Sequence, residues 1–245
     1  MDIFVIGNSL TQDTIPTQYG ADFDIRPNSG LQIIYDSPTT NLLTGSIDWP
    51  TAFAATQYDI VSVQPYRTPE ETDSLNQNTT VISEWVSLQP NAVFIIHTAW
   101  APFADHAEQY AENGEGEEGF LSWNRGYYEE LITRLRTANP GTTFKVNPAI
   151  NVLEAINRDI VRGIGPYTAL SDLYRDTLHI GLEGGGFYLM HNLMRRTLGL
   201  PIVNANASEI SAQTRLYLNA KIQAAVPIGI PITVAQGADH LYGGL

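Results

Sequence analysis

The stretch Asp2-Ile3-Phe4-Val5-Ile6-Gly7-Asn8-Ser9-Leu10-Thr11 decides how the rest of the chain is read. From Ile3 to Ile6 it is continuously apolar rather than alternating. A strand of that kind is buried on both faces, as in a parallel sheet covered by helices on each side. The run ends at Gly7-Asn8-Ser9, so a polar junction follows at the carboxyl end of the strand, where open α/β sheets place their ligands. Glycine there lets the backbone turn tightly. Four further runs of the same character, residues 23–26, 59–63, 92–97 and 143–146, predict strands. Helical spacing follows in 70–88, with Leu75, Val81, Ile82, Trp85 and Val86 as its stripe, and in 127–137, which stops before Asn139-Pro140-Gly141. Residues 152–161, 185–198 and 208–225 also read as helices. Strands alternating with helices predict an α/β fold, a three-layer α/β/α sandwich. With no internal repeat and no low-complexity linker, residues 1–245 are read as a single domain.

Composition narrows the possibilities. The chain has 245 residues, 43% of them hydrophobic and 16% charged, which suits a sizeable core and not a disordered chain. Thirteen basic against 26 acidic residues leave a net charge of −13, which repels phosphate backbones and argues against nucleic-acid partners. There is no cysteine, so disulfides, thiol nucleophiles and thiolate metal sites are excluded. No run approaches the roughly 20 apolar residues of a membrane span. The first residues lack the features of a signal peptide, which makes the cytoplasm the default expectation, with a trimmed secreted or periplasmic form left open. Two segments stand outside the strand–helix pattern. Residues 101–124 form an acidic insertion, either a solvated loop or a wall of the site. Residues 226–245 read as an extended apolar arm that wraps the domain or joins subunits in a homo-oligomer.

Chemistry is concentrated at two places. Ser9 follows the first strand, where it either caps the next helix or acts as a nucleophile, and the second role needs a base. Asp176-Thr177-Leu178-His179 offers one, because in a turn the carboxylate of Asp176 reaches the ring of His179 and fixes its tautomer. His97, His106, His191 and His240 show no mutual metal-ligand spacing, and no metal or cofactor is expected. The glycines from Gly181 to Gly186 invite a phosphate-binding reading, but no strand precedes them directly and no Gly-Lys-Ser/Thr follows.

Gly7-Asn8-Ser9-Leu10-Thr11 together with Asp176-Thr177-Leu178-His179 resembles the SGNH (GDSL-like) hydrolases. The resemblance implies a flavodoxin-like, mostly parallel five-stranded sheet and a serine esterase or lipase with Ser9, His179 and Asp176 as its triad, needing no cofactor. It implies an oxyanion hole from the amides of Ser9 and Gly30, the latter in Asn28-Ser29-Gly30. The family's third donor is an asparagine after the third strand; here Val63-Gln64-Pro65-Tyr66 stands instead, as in a subgroup carrying glutamine, so Gln64 takes the role. The bland alternative for Gln64 is an amide satisfying loop backbone. Asn8, Tyr66 and Trp100 are placed at the substrate, Trp100 either stacking on a sugar ring or packing under the insertion. Arg67 and Arg125 are the cations that would make the cleft locally basic. The expected substrate is a small acyl ester, acetyl above all, on a carbohydrate. A lipid or thioester hydrolase and a non-catalytic glycan-binding module on the same fold are the alternatives.

Overall fold

A computed structural model of the chain describes residues 1–66, 74–111 and 123–227. The sheet holds β1 (Ile3–Gly7), β2 (Asp22–Ile25), β3 (Ile60–Val63), β4 (Val93–His97) and β5 (Phe144–Asn147) in the order β2-β1-β3-β4-β5, with every pairing parallel. Each strand begins and ends within one residue of its expected position. Side chains alternate across the strands, and both faces are covered. Phe4, Ile6, Val61, Val63, Phe94 and Ile96 belong to one apolar cluster; Ile3, Val5, Ile60 and Ile95 belong to another. This is why β1, β3 and β4 are apolar with hardly a break, whereas β2 and β5, at the sheet edges, alternate with Asp22, Asp24, Lys145 and Asn147 and depart from the continuous runs expected.

The short α1 (Ser9–Gln12), α2 (Leu31–Asp36), α3 (Trp49–Ala55) and α4 (Ser74–Leu88) come between the first four strands. They are followed by α5 (His106–Ala111), α6 (Arg125–Ala138), α7 (Ala149–Val161), α8 (Gly186–Thr197) and α9 (Ala212–Ala225). Helices α2, α3, α4 and α6 cover the first face, while α7, α8 and α9 enclose a second large core that includes Leu153, Leu189 and Leu218. Among the described residues no helix is long and apolar enough to cross a membrane. The 112–122 part of the acidic insertion, Arg67, and residues 228–245 of the C-terminal arm with His240 lie outside the described residues.

From β1 the chain crosses to β2 on one side and then to β3 on the other, so the connections diverge at the carboxyl end of β1. Diverging connections open a crevice at that point, and Ser9 stands at its edge.

Candidate active site

Ser9 is the first residue of α1, and the cap of that helix is Asn8, whose Oδ1 accepts from the Leu10 amide at 3.0 Å. The serine hydroxyl is thereby left out of the cap. It lies 2.9 Å from His179 Nε2. The other ring nitrogen, Nδ1, is 3.1 and 2.9 Å from the two carboxylate oxygens of Asp176. With Nδ1–H donating to the carboxylate, Nε2 faces the hydroxyl as an acceptor. The three-residue spacing follows from the turn. Asp176 Oδ1 accepts from the amides of Leu178 at 2.9 Å and His179 at 2.8 Å, which folds the backbone so that the ring returns to the same carboxylate. Burial pushes the Asp176 carboxyl up, but the amide bonds and the His179 ring outweigh it and hold it at about 2. Both side chains stay open to solvent, His179 at 26% and Asp176 at 48% exposure.

A second carboxylate, absent from the sequence-level reading, joins the two halves of this array. Asp13 is 2% exposed at its side chain and accepts from the Ile180 amide at 3.0 Å and from Arg175 Nη1 at 2.8 Å. Its own amide donates to the Ser9 carbonyl at 3.1 Å. One buried group thus ties the helix of Ser9 to both ends of the turn carrying Asp176 and His179. The Arg175 amide closes that turn on the His179 carbonyl at 2.9 Å, and Tyr174 and Ile180 form an antiparallel bridge across it. Burial raises the Asp13 carboxyl above its ordinary value despite the opposing pull of Arg175. The sequence signal was a lone acid one helical turn past Ser9 and a lone cation beside Asp176.

Gln64 holds the start of α1 through its side-chain oxygen. Its Oε1 accepts from the Thr11 hydroxyl at 2.7 Å and the Thr11 amide at 3.0 Å, with the Asn8 amide at 3.4 Å. Three donors on one oxygen fix which way the amide points, and they leave Nε2 buried without a hydrogen-bond partner among the described residues. The tight packing of Gly7 has the same origin: a Cβ there would collide with the Thr11 hydroxyl and lie 2.9 Å from Gln64 Cβ. Close approach, more than the turn, requires glycine. Gly30 is the N-cap of α2, so its amide, like that of Ser9 at the start of α1, lies outside helical hydrogen bonding.

Two sequence-level assignments are corrected. Trp100 is fully buried among core residues, and its Nε1 donates to the Leu178 carbonyl at 2.9 Å. No face is left for a sugar; the indole supports the Asp176–His179 turn from below. Asn8, 2% exposed, is a helix cap and not a substrate contact. Tyr66 is partly buried, with its ring 6.3 Å from that of Trp123 beyond the end of β3. Arg125 is engaged with Glu129 at 3.3 Å. The glycine run at α8 reflects close packing, since a Cβ on Gly186 would collide with Ile180 and the Leu173 carbonyl. His97 is buried, with Nδ1 2.8 Å from Asn147 Nδ2, and His191 Nδ1 is 2.9 Å from the Thr14 carbonyl.

Fold and array together describe a parallel α/β sandwich with a serine, a histidine and an aspartate joined by hydrogen bonds in that order at its carboxyl edge. No family model and no curated protein matches the sequence. Among solved structures the fold is similar to that of a protein from Parabacteroides merdae ATCC 43184 that has been assigned as a GDSL-like lipase. The two share 12% identity at a TM-score of 0.51, over 81% of this chain and 95% of that one. At that identity the likeness is one of fold.

Proposed function

We propose that the protein is a serine esterase. The reading is carried by one observation: a serine hydroxyl 2.9 Å from a histidine whose other nitrogen is held 2.9 Å from a carboxylate. In this scheme His179 Nε2 takes the hydroxyl proton as Ser9 Oγ attacks the ester carbonyl. Asp176 keeps the ring in the productive tautomer and stabilises the imidazolium. In the same scheme the tetrahedral oxyanion is met by the amides of Ser9 and Gly30 and by Gln64 Nε2, a reading supported by the lack of any other partner for that buried nitrogen among the described residues. His179 returns the proton to the leaving alcohol, and water, deprotonated by the same nitrogen, cleaves the acyl-enzyme.

The acyl group of this proposal is small, acetyl above all. The case for a carbohydrate alcohol now rests on the Tyr66 and Trp123 rings, since Trp100 is buried. The complete Ser9–His179–Asp176 array favours catalysis over a binding module. Hydrolysis of 4-nitrophenyl acetate, then of a panel of acetylated sugars, tests both parts. Ser9→Ala is expected to lose about 10⁴-fold or more in turnover. Equal slow turnover by wild type and variant would reject the serine mechanism.

A further inference from the structure

Between the end of α1 and Arg175 lies a cavity of about 420 Å³, within the roughly 300–1,000 Å³ of small-molecule sites. Its walls are mainly apolar, from Ile15, Phe23, Leu43 and Phe187, and its charged members are Asp13 and Arg175. Two features distinguish it from a surface dent. The first is the state of Arg175. Its Nη1 is anchored to Asp13 and to the Ile180 carbonyl, and its guanidinium carbon sits 5.3 Å from the centre of the Phe187 ring. Nε and Nη2 have no partner among the described residues. These two nitrogens form the flat edge that grips a carboxylate through two parallel hydrogen bonds. Anchoring the third nitrogen and holding the cation over the Phe187 ring restrains that edge in advance, so less freedom is lost on binding. The Asp13 oxygens, meanwhile, are taken by Arg175 and by the Ile180 amide.

The second feature is Ile15, a β-branched residue in the cavity wall held at φ 56°, in the left-handed region. Such strain in a branched residue persists only where surrounding structure imposes it, and it gathers at ligand sites. The triad side chains do not line the cavity, but their chain neighbours do. Gln12 and Asp13 lie one helical turn past Ser9, and Arg175 precedes Asp176.

We propose that this cavity is a subsite for a carboxylate-bearing organic molecule with an apolar body. On the esterase reading, from which this step follows, it takes the acidic part of the substrate. The substrate class is then an ester with a free carboxylate elsewhere in the molecule. In a chain of net charge −13, an acid needs such a local, pre-oriented cation to be drawn in.

Calorimetric titration of the whole chain with 4-phenylbutyrate and with uncharged 4-phenylbutyramide tests the subsite without relying on turnover. The wild type is expected to prefer the acid by about tenfold or more. Arg175→Lys keeps a cation for Asp13 but loses the flat edge, and it should lower that preference by about tenfold. Thr44→Glu, at the exposed rim, should lower it through like-charge repulsion. Equal affinity for acid and amide in the wild type, or a preference retained in Arg175→Lys, overturns the proposal. Should Arg175→Lys not fold, a preference retained in Thr44→Glu does the same. Hydrolysis of 4-nitrophenyl acetate by wild type and Ser9→Ala judges the esterase reading separately. Ser9-dependent hydrolysis without acid preference removes only the subsite; acid preference without Ser9-dependent hydrolysis removes the esterase and leaves a carboxylate-binding cavity.

Discussion

His97 and His179 both stand at the carboxyl edge of the sheet, one closing β4 and the other on the turn after Tyr174, in opposite environments. His97 has no exposed surface. Its Nδ1 faces the Asn147 amide nitrogen, and that amide is oriented by the Thr197 hydroxyl, 3.2 Å from its oxygen. Burial lowers its pKa to about 4, so it stays neutral as part of the core. His179 is a quarter exposed, carries a carboxylate on one nitrogen and faces a hydroxyl with the other. The same side chain serves as packing in one place and as a candidate base in the other. The difference lies in solvent access and in the charge of the hydrogen-bond partner.

Exchanging the two histidines' fates is the sharpest way to break this contrast. His179→Asn should lower ester turnover by about 10³-fold or more while leaving the melting temperature nearly unchanged. His97→Gln should do the reverse, with turnover kept within about tenfold and stability reduced by about 1–3 kcal/mol, since a buried polar contact is disturbed. Steady-state kinetics beside thermal unfolding would show it. Comparable kinetic losses in both variants would put His97 in the chemistry.

The donor side gives a smaller effect. Gln64→Glu keeps the oxygen that holds Thr11 but replaces the unpartnered Nε2 with a second oxygen, and it should lower kcat by about 10²–10³-fold with little change in KM. An unchanged kcat would reduce Gln64 to a clamp on α1.

The smallest effect is in pH dependence. Native His97 resists protonation down to about 4, while in the unfolded chain it titrates at its ordinary value of 6.5. Between those values the unfolded chain holds more protons, so this residue makes stability fall as pH drops through the window, by up to about 3 kcal/mol. Asp176 acts lower down: its contribution is present above its ordinary value of 3.8 and is lost as pH falls towards about 2. Denaturant melts of wild type and His97→Gln at pH 7, 5.5 and 4.5 should converge as the pH is lowered. A constant gap would remove His97 as the titrating group.

The parts that were legible in the sequence share a physical character. β1, β3 and β4 could be placed because burial on both faces leaves a nearly unbroken apolar run, β2 and β5 from short runs in which Phe23, Ile25, Phe144 and Val146 alternate with polar residues, and α4 and α6 because several turns of helix reveal their period. Helices α2, α3 and α5, six or seven residues each, are too short to show one; α3 is set by its Asp48 cap, which accepts from the Thr51 amide at 3.0 Å, and by Pro50. Ser9, Asp176 and His179 could be picked out because a strand end and a one-turn spacing are local geometry.

What local sequence could not supply is direction and partnership. An indole after a strand end reads equally as a binding face or a core side chain, and the packing over Trp100 made it the latter. Asp13 and Arg175 are separated by more than half the chain, and nothing in either neighbourhood marks them as a pair. The sequence by itself determined the layered α/β fold and singled out Ser9, Asp176 and His179, which the structure brings within hydrogen-bond reach of one another, because periodicity and turn chemistry are written within a few residues. Only the tertiary structure decided the clasp at Asp13, and that Nε and Nη2 of Arg175 and Nε2 of Gln64 are left without a partner among the described residues. Those depend on which distant groups are left without a partner once the chain has closed on itself.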